Sequence, residues 1–161
     1  MTDKVIINAS PLIFLSRSHH LALLKSFAEE VWVPEPVAKE ILQRGQEDIT
    51  AQAIKNTAWL VEQSVEEIPM AILEWRLGAG ESAALALGLA HPHTEVIIDD
   101  LAGRKCADSL NIPIRGTLGL VLVAKKRGVI PEARPVIEDM MRTGLYLSKR
   151  VLDRALNKVG E

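Results

Sequence analysis

Short runs of β-branched and other apolar residues alternate along the chain with longer segments of helical periodicity. Residues 5–7, 31–33, 96–98 and 112–115 have the pattern of strands buried on both faces of a sheet. Because helical segments separate these strands, we expect βαβ units, a mainly parallel central sheet and helices on both faces. The predicted fold class is therefore α/β, arranged as a three-layer sandwich.

Capping and turn residues indicate where the helices begin. Ser10 and Pro11 favour the N-cap and the first position of a helix after the first strand, and Thr117 favours an N-cap after the last. Gly78 and Gly80 predict a break before a helix that opens at Glu81. The predicted helical segments are residues 21–27, 36–43, 49–54, 70–77, 81–90, 101–110 and 118–127, followed by a C-terminal pair, with residues 59–65 extended.

Composition and charge narrow the class of protein. The 161 residues, 48% hydrophobic and 25% charged, suit one domain over residues 1–161. The single cysteine, Cys106, cannot form an internal disulfide, which favours a reducing cytoplasm. No apolar run approaches the roughly 20 residues that span a bilayer, so a membrane protein is excluded. The net charge of -2 means that any contact with RNA must be local.

Polar residues follow two of the predicted strands. Asn8 follows the first strand, and Asp99 and Asp100 follow residues 96–98. The carboxyl ends of parallel strands form the edge where open sheets bind ligands, and Glu40 and Glu81 on nearby helices can reach the same edge. Clustered carboxylates repel unless a cation neutralises them, and Mg²⁺ or Mn²⁺ prefers oxygen ligands. We therefore expect a Mg²⁺ or Mn²⁺ site suited to phosphodiester hydrolysis.

Each of these residues also has a plainer interpretation. Asn8 can simply end a strand, and Asp99 or Asp100 can cap the helix that begins at residue 101. Glu81 can interact with its helix dipole, and Glu40 can be solvated. The alternative to a capping role for Thr117 is a hydroxyl contact to phosphate or water near the site.

Four runs carry a resemblance to a known family: residues 7–13 (INASPLI), 78–84 (GAGESAA), 98–104 (IDDLAGR) and 116–119 (GTLG). Together they resemble a PIN-like branch of the PIN nuclease superfamily related to VapC-type toxin ribonucleases, and residues 37–40 (VAKE) resemble its helical glutamate motif. The resemblance implies a PIN-like sandwich and a metal-dependent endoribonuclease that hydrolyses RNA. It also implies that the protein could be the toxin of a toxin–antitoxin pair.

Residue by residue, the resemblance assigns metal-binding and catalytic positions. It puts Asn8 at the first acidic position, Glu40 at the second, Glu81 at the third and Asp100 at the fourth, with Asp99 adjacent. Most active PIN nucleases have aspartate at the first position, whereas the amide of Asn8 offers an oxygen ligand without a charge. Metal affinity should therefore fall. The alternative function is a PIN-fold module that binds RNA or protein without cleaving.

Further residues are expected to support the site or bind partners. Ser10 resembles the small hydroxyl residue that accompanies the first motif, and Arg104, Lys105 and Arg115 follow strands near the edge, where they could contact RNA phosphates. The resemblance makes an antitoxin protein a candidate partner. An apolar C-terminal segment, expected to be incompletely covered, favours a homodimer. This segment comprises Ile137, Met140, Met141, Leu145 and Leu147.

Overall fold

The computed structural model describes residues 2–161, which form a five-stranded parallel sheet with helices on both faces. The strand order is β3-β2-β1-β4-β5 and every neighbouring pair is parallel. Ile6 in the central strand pairs with Trp32 on one side and Val96 on the other. The predicted α/β class and parallel sheet are confirmed. The strands are β1 (Thr2–Ile7), β2 (Ala28–Pro34), β3 (Leu60–Gln63), β4 (Val96–Ile97) and β5 (Ile114–Arg115).

The helices connect the strands and continue beyond β5 as a C-terminal pair. A 3-10 helix over Leu21–Ser26 precedes β2, where the sequence predicts a continuing helical pattern. The α-helices are α1 (Ala9–Arg17), α2 (Glu35–Leu42), α3 (Ile49–Asn56), α4 (Met70–Leu73), α5 (Ala79–Ala90), α6 (Leu101–Ser109), α7 (Thr117–Lys126), α8 (Ala133–Arg142) and α9 (Lys149–Asn157).

The sheet separates two apolar clusters, as the alternation of side chains along β1 requires. Val5 and Ile7 belong to a cluster built with α1, α2, α3, α7, α8 and α9, whereas Ile6 belongs to a cluster built with α4, α5 and α6. Cys106 of α6 is fully buried in the second cluster, as expected for a free thiol. Two helical layers therefore enclose the sheet, which confirms the three-layer sandwich.

Three helices begin earlier than their capping residues predict. The residue at the N-cap of α1 is Asn8, not Ser10; α5 begins after Gly78 and contains Gly80; and the N-cap of α7 is Gly116, not Thr117. None of these N-cap residues makes a side-chain capping hydrogen bond, and each has extended backbone. The preceding backbone, rather than a hydroxyl side chain, therefore determines where these helices start.

The helix predicted over residues 70–77 ends early. α4 stops at Leu73, and the amides of Trp75 and Arg76 bond three residues back to Ile72 and Leu73. These tighter bonds close the helical turn, and Arg76 then adopts a left-handed conformation with φ of 53°. Residues 74–77 therefore form a turn that leads into α5.

The apolar C-terminal segment is partly covered within the chain itself. Ile137 and Met140 are fully buried, and Met141, Leu145 and Leu147 pack against the first cluster. The expectation of incomplete coverage is confirmed in part, because α8 and α9 extend the same cluster as α1 and α7 but leave three of the five side chains only half-buried. The homodimer stays a prediction. Within residues 2–161, no helix combines the length and the apolar character needed to cross a membrane.

Candidate metal centre

The candidate site lies where the order of the strands reverses. The chain first builds β1, β2 and β3 to one side and then places β4 and β5 on the other side of β1. The carboxyl ends of β1 and β4 therefore form a topological switch point, where open α/β sheets bind ligands. Asn8 follows β1, and its N–H donates to the carbonyl of Ile97 at 3.0 Å. This bond holds Asn8 beside the end of β4, as the sequence predicts.

Asn8 presents an unsatisfied acceptor at this edge. Its side chain is 3% exposed, and its Oδ1 has no hydrogen-bond partner among the described residues. A buried acceptor without a hydrogen-bond partner costs about 1–3 kcal/mol of stability. Such acceptors are therefore rare in native structures unless they have a function. The oxygen is available to a cation or to a ligand that donates a hydrogen bond.

Glu40 approaches the same point because Gly80 has no side chain. A Cβ built on Gly80 would lie 3.4 Å from both Asn8 Oδ1 and Glu40 Oε2, and 3.1 Å from Cγ2 of Val37. The two oxygens therefore border one small space between α2 and α5. Glu40 is also solvent-exposed, so it can change its orientation at little cost.

Two of the predicted acidic residues interact with their own helices. The carboxylate of Glu81 folds back over the start of α5, with Oε2 2.5 Å from where a Cβ on Gly78 would lie. Asp100 caps α6, because its Oδ2 accepts a hydrogen bond of 2.8 Å from the amide of Gly103. Both carboxylates thus have the plainer local roles that favour helix N-termini.

Asp99 is bound by Thr117 at the start of α7. Its Oδ1 accepts from the Thr117 amide at 2.8 Å, and its Oδ2 accepts from the Thr117 hydroxyl at 2.6 Å. Thr117 therefore follows the N-cap of its helix, and its buried hydroxyl bonds a carboxylate. It fixes the orientation of a carboxylate at the candidate site.

The three predicted RNA-binding cations differ in position. Nη1 of Arg104 and Oδ1 of Asp99 both lie against Gly116, at 2.5 Å and 3.1 Å from where a Cβ there would be. Lys105 is exposed on α6. Arg115 instead donates from Nε to Glu95 at 2.9 Å. Arg104 thus borders the site, whereas Arg115 is held in an ion pair.

Comparison with known proteins identifies the family. A family model described as a PIN domain matches residues 4–161. The chain belongs to the PIN-domain family. The comparison with curated proteins found no match. PIN domains are generally dependent on divalent metals, and membership makes nuclease activity and RNA binding the functional expectation.

The donor atoms of this PIN domain fit such a metal in chemistry. The amide oxygen of Asn8 and the carboxylate of Glu40 are hard donors suited to Mg²⁺ or Mn²⁺, and they border the same space. Among residues 2–161, however, no three Asp, Glu, His or Cys side chains are grouped closely enough to hold a metal ion. Two protein oxygens therefore border the space, and a third protein ligand would require another carboxylate to turn toward it.

Sequence reasoning about this PIN domain missed features that depend on packing between distant segments. Gly80 was interpreted only as a helix breaker, although its missing side chain makes the space beside Asn8 and Glu40. The bond from Thr117 to Asp99 was also missed. Ser10, expected to support the first motif, is exposed in the first turn of α1.

Proposed function

We propose that the chain is a metal-dependent endoribonuclease that hydrolyses RNA phosphodiester bonds with Mg²⁺ or Mn²⁺. The observation that supports it most is the buried, unpartnered Oδ1 of Asn8 beside the carboxylate of Glu40 at the switch point of the sheet. We propose Glu40, Glu81, Asp99 and Asp100 as catalytic residues, which together with Asn8 form the ligand set. The proposal treats residues 1–161 as one PIN domain.

The residues of the site would have different roles in binding the metal and positioning the site. Asn8 and Glu40 offer the first two oxygens. Glu81, next to Gly80 in α5, would have to rotate away from Gly78 to join them. A divalent cation held by these residues would supply positive charge that stabilises the phosphodiester as it is hydrolysed. Asp99 holds its orientation through Thr117 without needing the cation.

Arg104 and Lys105 on α6 are the proposed contacts to RNA phosphates. Arg104 lies beside Asp99, so a phosphate held by its guanidinium would be close to the metal centre. The family resemblance alone supports a more specific role as the toxin of a toxin–antitoxin pair in the cytoplasm. The proposals of an antitoxin partner and of a homodimer rest on the same resemblance.

A second candidate function is a PIN-fold module that binds RNA or protein without cleaving. Three observations favour it. The first two are that the described residues contain no group of three metal-binding side chains and that Asn8 contributes no charge. Asp99 and Asp100 are also both engaged in hydrogen bonds within the chain. Each of these features lowers the affinity expected for a divalent cation.

Single-turnover cleavage of structured and unstructured RNAs with Mn²⁺ separates the two functions. Glu40→Gln keeps the size of the side chain but removes its charge, and it should slow cleavage about 10- to 100-fold. Glu35→Gln makes the same change at the other end of α2, away from Gly80, and should cleave at the native rate. If the native protein cleaves none of a diverse set of RNAs with Mn²⁺ or Mg²⁺, the binding function replaces the enzymatic one.

A further inference from the structure

A groove of about 460 Å³ with apolar walls lies between α7 and α9 and opens beside Asp99 of the candidate metal centre. Leu145 and Leu147, two half-buried members of the C-terminal apolar segment, contribute to it. The segment therefore leaves an apolar surface that the helices of the same chain do not fill. We call this cleft the α7–α9 groove; its other lining residues include Arg104, Leu118, Leu122, Val151, Arg154 and Lys158.

Cations border the groove on the side of α9. Arg154 and Lys158 are exposed, lie one turn apart at the end of α9, and form no ion pair within residues 2–161. Arg104 is a third lining cation, whereas Asp99 is the single acidic residue that lines the groove. The excess of positive charge favours an occupant that carries negative charge as well as apolar side chains.

A segment around α4 has the complementary character. Met70 is 72% exposed and Leu73 48% exposed, although the fully buried Ile72 anchors their helix to the second apolar cluster. Three glutamates flank these side chains, and no lysine or arginine lies between them in the sequence. Among the residues that the structure describes, none of the three forms an ion pair. We call residues 66–74 the α4 patch; its glutamates are Glu66, Glu67 and Glu74.

We infer that the α4 patch of one copy of this chain docks in the α7–α9 groove of a second copy. Met70 and Leu73 pack against the leucines of the groove, and the glutamates beside them pair with Arg154 and Lys158. Burial of the apolar side chains favours association, and the opposite charges fix the orientation of the two copies. The docked copy covers the approach to Asp99. This association goes beyond the proposed nuclease activity and does not rest on it.

The two surfaces lie in opposite helical layers of the sandwich. α4 belongs to the layer of the second apolar cluster, whereas α7 and α9 belong to the layer of the first. The contact is therefore heterologous: a copy that uses its α4 patch keeps its own groove free, so copies join head to tail. This arrangement differs from a two-fold homodimer, in which the same surface of each copy meets the other.

Light scattering at low salt tests the association on the native chain. The apparent mass should rise above the 17.7 kDa of the monomer as protein concentration increases, and added salt should reduce the rise, because it screens exposed charges. Met70→Ser should weaken the association at least about tenfold, since a large apolar side chain would no longer become buried at the contact. A native protein that stays monomeric at high micromolar concentration would overturn the inference.

Exchanging the charges identifies the two surfaces. Glu66→Lys with Glu67→Lys reverses the α4 patch, and Arg154→Glu with Lys158→Glu reverses the groove. All four side chains are exposed, so both variants should fold. Each variant alone should be monomeric, because its patch and its groove then carry charges of the same sign. Mixed in equal amounts, the two variants should associate again, since each then meets surfaces of opposite charge on the other.

The matched control is Glu47→Lys with Glu138→Lys, which changes the net charge as much as the reversed patch does, but at exposed positions outside both surfaces. It should associate as native protein does. A dimer that neither pair of charge reversals weakens would overturn the inference and leave a two-fold homodimer as the better explanation. Reversed variants that remain monomeric when mixed would also overturn it. RNA cleavage enters none of these measurements, so failure of the proposed nuclease activity would leave their outcome unchanged.

Discussion

Thr117 donates two hydrogen bonds to Asp99, from its amide to Oδ1 at 2.8 Å and from its hydroxyl to Oδ2 at 2.6 Å. Thr117 is fully buried, and the pair joins the chain after β4 to the first residue of α7. Both oxygens of a carboxylate at the sheet edge are thereby oriented by the protein. The pair contributes to stability and also sets how Asp99 faces the candidate site.

Replacing Thr117 measures what the hydroxyl contributes. Thr117→Val has nearly the same shape but leaves Oδ2 of Asp99 without this donor, so the free energy of unfolding should fall by about 1–3 kcal/mol. Thr117→Ser retains the hydroxyl and should lose distinctly less. Urea unfolding in EDTA provides the comparison. An equal loss for Val and Ser would mean that packing of the methyl group, not the hydrogen bond, matters.

The sheet and the layers follow from local sequence patterns. Runs such as residues 5–7 are too apolar for an exposed strand, and helical segments between them require parallel connections. The residues at which the helices start did not follow from local sequence patterns. Ser10 favours an N-cap by composition, but the chain leaves β1 already positioned to begin α1 at Ala9. A single-residue preference is weaker than the geometry of the strand end that precedes it.

The part of the candidate site that lies at strand ends could be predicted from the sequence. Asn8, Asp99 and Asp100 share the edge because strand order places them there. The approach of Glu40 to Asn8 depends on packing between α2 and α5, segments that no short motif relates. The roles assigned to these residues, and the single domain over residues 1–161, stay predictions.

Gly80→Ala tests whether the space beside Asn8 and Glu40 holds the cation. The added methyl group would occupy that space, so Mn²⁺ affinity should fall about tenfold or more, with RNA cleavage falling in parallel. Two effects on stability oppose each other: alanine favours a helix over glycine by about 1 kcal/mol, but its Cβ would lie a tight 3.1 Å from Cγ2 of the buried Val37, which must shift. Calorimetric titration with Mn²⁺ gives the affinity, and urea unfolding gives the stability.

The matched control for this substitution is Gly119→Ala, a glycine in α7 whose added Cβ would meet Cγ of Arg115 at an ordinary 3.5 Å. Mn²⁺ binding should be native in that variant. Native Mn²⁺ affinity in Gly80→Ala would place the cation elsewhere and remove Glu40 and Asn8 as joint ligands.

Asp139 should make stability depend on acid pH. A hydrogen bond with His20 at 2.9 Å, aided by Arg142, lowers the pKa of Asp139 below its usual 3.8. A lowered pKa contributes stability above the unfolded value, and that contribution is lost as pH falls through the folded value. Asp139→Asn should therefore destabilise the protein near neutral pH, and its difference from native protein should shrink below 3.8.

The measurement is urea unfolding of native protein and Asp139→Asn across this pH range at low salt. The effect should be small, because Asp139 is more than one-third exposed and salt screens such pairs. Asp153→Asn in α9, which removes an exposed carboxylate for which no ion pair is found within residues 2–161, is the control for the loss of a charge alone. A difference that grows toward acid pH would contradict the assigned role.

Asn8→Asp addresses whether the amide weakens a working metal site. The substitution adds a negative charge in a buried position next to Glu40, so without metal the variant should be less stable than native protein. With Mn²⁺ present, attraction between the new charge and the cation should outweigh that cost. A unit charge pair 4 Å apart is worth about 4 kcal/mol at an effective dielectric near 20, before desolvation is subtracted. We therefore expect Mn²⁺ affinity to rise at least about tenfold and cleavage at low Mn²⁺ to become faster.

Thermal unfolding in EDTA and in Mn²⁺, paired with single-turnover cleavage, distinguishes the possible roles of Asn8. Preferential binding to the folded state raises the melting temperature with ligand concentration, so the Mn²⁺-induced rise should be largest for Asn8→Asp and smallest for Asn8→Ala, which has no ligand oxygen. Asn56→Asp adds the same charge at the exposed end of α3 and should respond as native protein does.

If Asn8→Asp instead binds Mn²⁺ more tightly but cleaves more slowly, the amide contributes by donating a hydrogen bond to a carboxylate or phosphate, and the native protein is already tuned for activity. If Mn²⁺ shifts none of these variants, the buried oxygen of Asn8 is not a metal ligand, and the PIN-fold binding module becomes the better description of this chain.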